Sequence, residues 1–117
     1  TAMVSGGLNF FAKKLQAELD IENFRANNVE IINESMTGNV LGKVIDAKEK
    51  ALYIKELCEE FNLKIDQVIA IGDGANDIEM MKVAGMSVAY HAKPLLKEYC
   101  NIQINFGGLD SLIHFFE

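Results

Sequence analysis

The chain has no run of about 18 apolar residues, so it offers no membrane-spanning helix. Its opening residues lack a basic start followed by an apolar core, and no secretory leader is expected from them. Cysteine is scarce. Cys58 and Cys100 stand far apart in apolar settings, which excludes a redox motif or a metal pair and leaves two buried free thiols. That usage suits a reducing cytoplasm. Proline occurs once, at Pro94, where it fits the first turn of a short helix. Basic residues are the minority, 11 Lys and Arg against 17 Asp and Glu, for a net charge of -6. This argues against nucleic acid or an anionic membrane as the main partner. A small anionic substrate stays open, because it responds to the local field of its pocket.

What is present is enough for one domain. The chain has 117 residues, half of them hydrophobic. Ala2-Met-Val4 reads as the end of a strand running into Ser5-Gly-Gly7. Leu8, Phe11, Leu15 and Leu19 recur at helical spacing. Asn23 to Asn28 reads as a polar connection. Val29–Ile32 and Val40–Val44 predict a hairpin with its turn at Gly38-Asn39. Lys48 to Phe61 predicts a helix with Ala51, Ile54, Cys58 and Phe61 inward, stopped at Asn62. Val68–Ile71 is an apolar run too short for a helix and reads as a buried parallel strand. A helix follows over about Asn76–Ala84, then a strand at Met86–Tyr90, a short helix at Leu95–Tyr99 and a short strand around Ile102 and Ile104. A last amphipathic helix is predicted over Leu109–Phe116. Alternating strands and helices imply an α/β fold, with a parallel sheet and helices on its faces.

Chemistry concentrates at the turn after Ile71. Gly72-Asp-Gly-Ala-Asn-Asp77 carries two carboxylates and an amide at the carboxyl end of a strand, where open α/β sheets bind ligands. Two carboxylates there repel each other and lose hydration, so a divalent cation is the simplest reason for them. Mg2+ takes one or two carboxylates together with phosphate and water. Three weaker features stand beside this one. Ser5-Gly-Gly7 is either an anion site or a turn. Lys50 is either a phosphate partner or a solvated charge like Lys43, Lys48 and Lys55. His91 and Lys93 either bind an anion or form a polar loop. His114 reads as structural.

In this order, these features resemble the haloacid-dehalogenase superfamily, and within it the phosphoserine phosphatases. Val4-Ser-Gly-Gly7 resembles their second motif, Lys50 falls at the spacing of the third, and Gly72–Asp77 resembles the fourth. Met36-Thr-Gly-Asn-Val-Leu-Gly42 is similar to their hairpin turn, and Val88-Ala-Tyr-His-Ala-Lys-Pro94 to their next strand and loop. The resemblance implies a three-layer Rossmann-like core, here partial, with a small hairpin insertion at about residues 29–44. It implies that Ser5 and the Gly6 backbone N–H bind the phosphoryl oxygens, that Lys50 neutralises charge on the phosphoryl group and nucleophile, and that Asn76 sits near the phosphoryl group. Asp73 would ligate Mg2+, and Asp77 would orient the metal site from behind. The implied reaction is Mg2+-dependent hydrolysis of O-phosphoserine to serine and phosphate, the last step of serine biosynthesis.

The family also begins with Asp-x-Asp-x-Thr, whose first Asp attacks phosphorus, and this chain contains no Asp-x-Asp. By this resemblance the chain corresponds to the carboxyl-terminal part of such an enzyme, without nucleophile or cap, and is inactive alone. The strand bearing the nucleophile would pair with both the Ser5 strand and the Asp73 strand. Without it those edges invite dimerisation, swapping or aggregation. The alternatives are a related phosphatase for another small phosphomonoester and a non-catalytic module that binds Mg2+ and phosphate.

Overall fold

The computed structural model describes residues 1–116, in two compact units, Thr1–Tyr53 and Ile54 onward. In the first unit β1 (Ala2–Leu8) leads to α1 (Asn9–Leu19), β2 (Asn23–Ile32) and β3 (Ser35–Leu41). β2 is the central strand, parallel to β1 and antiparallel to β3. Helix α2 (Ala47–Glu60) begins in this unit.

Three expectations are corrected here. Asn23–Asn28 is strand, not connection: its polar residues suit a strand because neighbours satisfy them, as Asn27 shows below. The stripe on α1 is largely exposed at Phe11, Leu15 and Leu19, and Ala12 is the buried position. A small residue there lets the helix lie close to β1 and β2, its packing partners. The hairpin turns at Asn33-Glu34, whose φ values of 50° and 62° fit a two-residue loop of the primed type. Gly38-Asn39 lies instead in a bulge of β3. There the register slips from Val29↔Val40 to Ile31↔Met36, setting three residues against Glu30 alone. Gly38 takes a φ of 89° there, which a side chain would resist. Next to the hairpin, Leu8, Phe10, Phe11, Val29, Ile31 and Met36 line an open, mostly apolar hollow.

In the second unit the strands β4 (Ile69–Gly72), β5 (Met86–Tyr90) and β6 (Ile102–Ile104) are all parallel, with β5 in the middle. β5 supplies the driest part of the core, with Ser87, Val88 and Ala89 buried. Ser87 is satisfied by Asn101: its N–H and Oγ–H both donate to Asn101 Oδ1 at 2.9 Å. Helix α3 (Ile78–Val83) packs on β4 and β5. The short α4 (Pro94–Lys97), opened by Pro94, buries Leu96. α2 ends in this unit, stopped at Asn62 (φ 52°), with the Leu63 N–H returning to the Cys58 carbonyl at 2.8 Å. Ile54 and Cys58 are buried as the periodicity predicts, but Phe61 is half-exposed and Tyr53 takes an inward place. The last amphipathic segment is a 3-10 helix, Leu109–Phe115, rather than an α-helix. Cys58 is buried and Cys100 half-buried, both free, and burial pushes the Cys100 thiol up. Among the described residues no helix is long and apolar enough to cross a membrane.

The bulge of β3 is built around one carboxylate. Glu30 accepts from the Thr37 hydroxyl at 2.6 Å and from the Asn39 amide at 3.1 Å. These donors, Thr37 first, hold its carboxyl below its ordinary value of 4.5. A carboxyl lowered in the folded state stabilises it above that ordinary value, and the contribution fades as pH falls through the lowered one. NMR titration is therefore expected to show the Thr37–Asn39 amide resonances shifting as pH drops below 4.5. The Glu30→Gln variant should lack that pH response.

Candidate active site

The candidate residues form two groups, one in each unit. In the first, Ser5, Gly6 and Gly7 are not a helix N-cap but a bulge within β1. The register moves from Val4↔Arg25 to Leu8↔Asn27, so three residues stand against Ala26 alone. The Ser5 hydroxyl oxygen accepts from the Gly7 N–H at 2.9 Å, which leaves its own O–H to donate outward. A Cβ on Gly6 would come within 3.4 Å of the Ile45 carbonyl, so this segment runs close to the start of α2. Asp46 caps that helix: its Oδ1 accepts from the Glu49 N–H at 2.9 Å. The Lys50 N–H closes the first turn on the Asp46 carbonyl at 3.0 Å. Lys50 is 5% exposed, whereas Lys48 and Lys43 are exposed. A lysine is rarely so buried without compensation, so burial as well as spacing sets Lys50 apart.

The second group is the turn after β4. Asp73 is exposed at the strand's carboxyl end, and Asn76 is exposed in the 3-10 turn Ala75–Asp77. Asp77 is 5% exposed. Its carboxylate does not cap α3 but folds back, accepting from the Asp73 N–H at 3.2 Å and the Gly74 N–H at 3.4 Å. The turn is braced from the far side as well. The Lys93 N–H donates to the Asp73 carbonyl at 2.9 Å, and the His91 ring is held by its Nε2 on the Gly107 carbonyl at 2.8 Å. The loop after β5 thus meets the turn through the Lys93 backbone, while the His91 side chain anchors on Gly107.

One exposed carboxylate stands at the end of β4. Among the described residues no cluster of three His, Cys, Asp or Glu side chains could hold a metal ion. Asp73 alone offers an exposed oxygen ligand at the strand end, with Asp77 engaged behind it. One carboxylate suits a hard cation that keeps water and phosphate as its other ligands.

The model of the haloacid dehalogenase-like hydrolases matches residues 5–116, and the chain belongs to that family. Within it, the chain is 43% identical over 113 residues to a phosphoserine phosphatase of Haemophilus influenzae, covering 97% of this chain and 36% of that protein. It is 43% identical over 115 residues to a phosphoserine phosphatase of Polaromonas, covering 95% of this chain and 49% of that protein. Among solved structures, it is similar to a probable phosphoserine phosphatase from Vibrio cholerae. The TM-score is 0.91 at 38% identity, over 96% of this chain and 35% of that one. The chain thus spans about a third to a half of the length of the curated relatives it matches.

Gly72 makes the Asp77 arrangement possible. A Cβ at this position would lie 2.5 Å from Asp77 Oδ2 and 2.7 Å from Met81 Cε. Gly72→Ala is expected to destabilise the protein by about 1–3 kcal/mol, the usual range for overpacking. Thermal unfolding should show Tm lower by several degrees; an unchanged Tm would mean the carboxylate is free to move aside.

Proposed function

We propose that this protein hydrolyses O-phospho-L-serine to serine and phosphate, in the cytoplasm, as the last step of serine biosynthesis, with Mg2+ as cofactor. The observation that carries the reading is the Gly-Asp-Gly-Ala-Asn-Asp turn at the carboxyl end of a parallel strand, with Asp77 buried behind an exposed Asp73. The kinship with phosphoserine phosphatases supports the substrate. Ser5, the Gly6 N–H and Asn76 bind the phosphoryl oxygens. Lys50 neutralises charge on them and on the nucleophile. Asp73 holds the metal, and Asp77 fixes the turn that presents it. Phosphoryl transfer depends mainly on such positioning and charge stabilisation. When bound, Mg2+ supplies further positive charge toward the phosphate.

The nucleophile in this reading is an aspartate of an Asp-x-Asp motif, which these 117 residues do not contain. They constitute the carboxyl-terminal part of the catalytic core, with the hairpin at about residues 29–44 as an insertion, and are inactive alone. In the full-length protein, Asp73→Asn should lower Mg2+-dependent phosphoserine hydrolysis by at least 100-fold. An unchanged rate removes the metal role. Preference for a sugar phosphate over phosphoserine in a substrate panel would reassign the substrate. Binding of Mg2+ and phosphate with no turnover would make the protein a binding module.

β1 and β4 are edge strands of their sheets, and each leads into one group of candidate residues. Such edges pair readily with further strands. The isolated 117-residue chain should elute in size-exclusion chromatography as a dimer or larger species, and a stable monomer would count against this.

A further inference from the structure

Asn27 is 7% exposed, in the middle of β2, and its side chain makes two hydrogen bonds that reach in opposite directions. Its Nδ2 donates to the Gly6 carbonyl at 2.8 Å. Its Oδ1 accepts from the Ile45 N–H at 2.7 Å. Neither partner can exchange roles: a carbonyl needs a donor and an N–H needs an acceptor, so the orientation of the amide is fixed. One rigid plane therefore ties the Ser5-Gly6-Gly7 bulge to the residue immediately before the Asp46 cap. From that cap the first turn of α2 carries Lys50.

We propose that Asn27 is a positioning residue that sets the Ser5–Gly6 backbone and the Lys50 helix start at a fixed separation. This rests on the reading of Ser5, Gly6 and Lys50 as the phosphoryl-binding groups. No other side chain of similar volume performs this task. Asp would keep the acceptor for Ile45 but face the Gly6 carbonyl with a negative charge. Leu would leave the buried Ile45 N–H and the part-buried Gly6 carbonyl without their partner. Ser reaches one partner. Gln keeps donor and acceptor but places them one methylene further out. A displacement on the order of 1 Å at a phosphoryl-binding group is enough to cost about 100-fold in rate.

The test uses the full-length protein with phosphoserine as substrate. Asn27→Asp is expected to lower kcat by about 10–100-fold, as loss of a supporting hydrogen bond does, with KM changed less than about threefold. Combined with Lys50→Ala, it should lose less than the product of the two single effects, because part of the Asn27 effect is exerted through Lys50. Asn27→Gln should also lower kcat more than tenfold while Tm stays within a few degrees. That split separates positioning from stability. Wild-type kcat in a folded Asn27→Gln or Asn27→Asp protein would overturn the proposal, as would full additivity with Lys50→Ala. Failure of both variants to fold would make Asn27 a folding residue and overturn it too. Lys50→Ala alone serves as the control on the underlying reading. If it keeps wild-type activity, the site assignment fails, whatever Asn27 does.

Discussion

Burying a carboxylate costs several kcal/mol unless hydrogen bonds replace the water it loses. In the second unit this constraint shapes everything around the turn. Asp77 finds its replacement in the N–H groups of Asp73 and Gly74, which forces the chain to curl tightly after β4. The curl requires a residue without a side chain at Gly72. It also leaves Asp73 at the surface, on the carboxyl end of a strand in an all-parallel sheet. Two acids that look alike in the sequence are thereby set in different surroundings, one buried and hydrogen-bonded, one exposed.

The first unit solves a related problem with a neutral group. A bulge in β1 breaks the regular ladder and leaves a carbonyl in need of a donor, while the approach to α2 leaves an N–H in need of an acceptor. A single asparagine answers both. Neutral amides do this without the desolvation penalty of an ion, so the polar centre of the unit stays well satisfied. Among the described residues no buried side-chain nitrogen or oxygen lacks a hydrogen-bond partner.

Much of this was legible in the residues. β5 follows the apolar run Met86–Tyr90, and the Gly72–Asp77 turn follows its strand, because composition and spacing both point one way there. The parts that misled share a cause. Asn23–Asn28 is poor in strand-forming residues, and only contacts distant in sequence make it a strand. Gly38-Asn39 has the composition of a hairpin loop, but Asn33-Glu34 takes the left-handed turn and Glu30 draws the glycine into a bulge. Of the candidate site, the side chains that bear charge stand out by type and spacing. Asn27 does not, since nothing local separates it from its neighbours Asn23 and Asn28.

The apolar hollow beside the hairpin, with Phe10, Phe11, Ile31 and Met36 each more than half exposed, bears on the chain's behaviour as a colloid. Exposed apolar surface of this kind is kept from sticking to itself largely by net charge. Here that charge is -6 and falls to zero near pH 4.9. Concentrated salt screens the same repulsion at neutral pH. Mild acid and high ionic strength therefore act on this chain in the same direction, toward clouding and loss from solution.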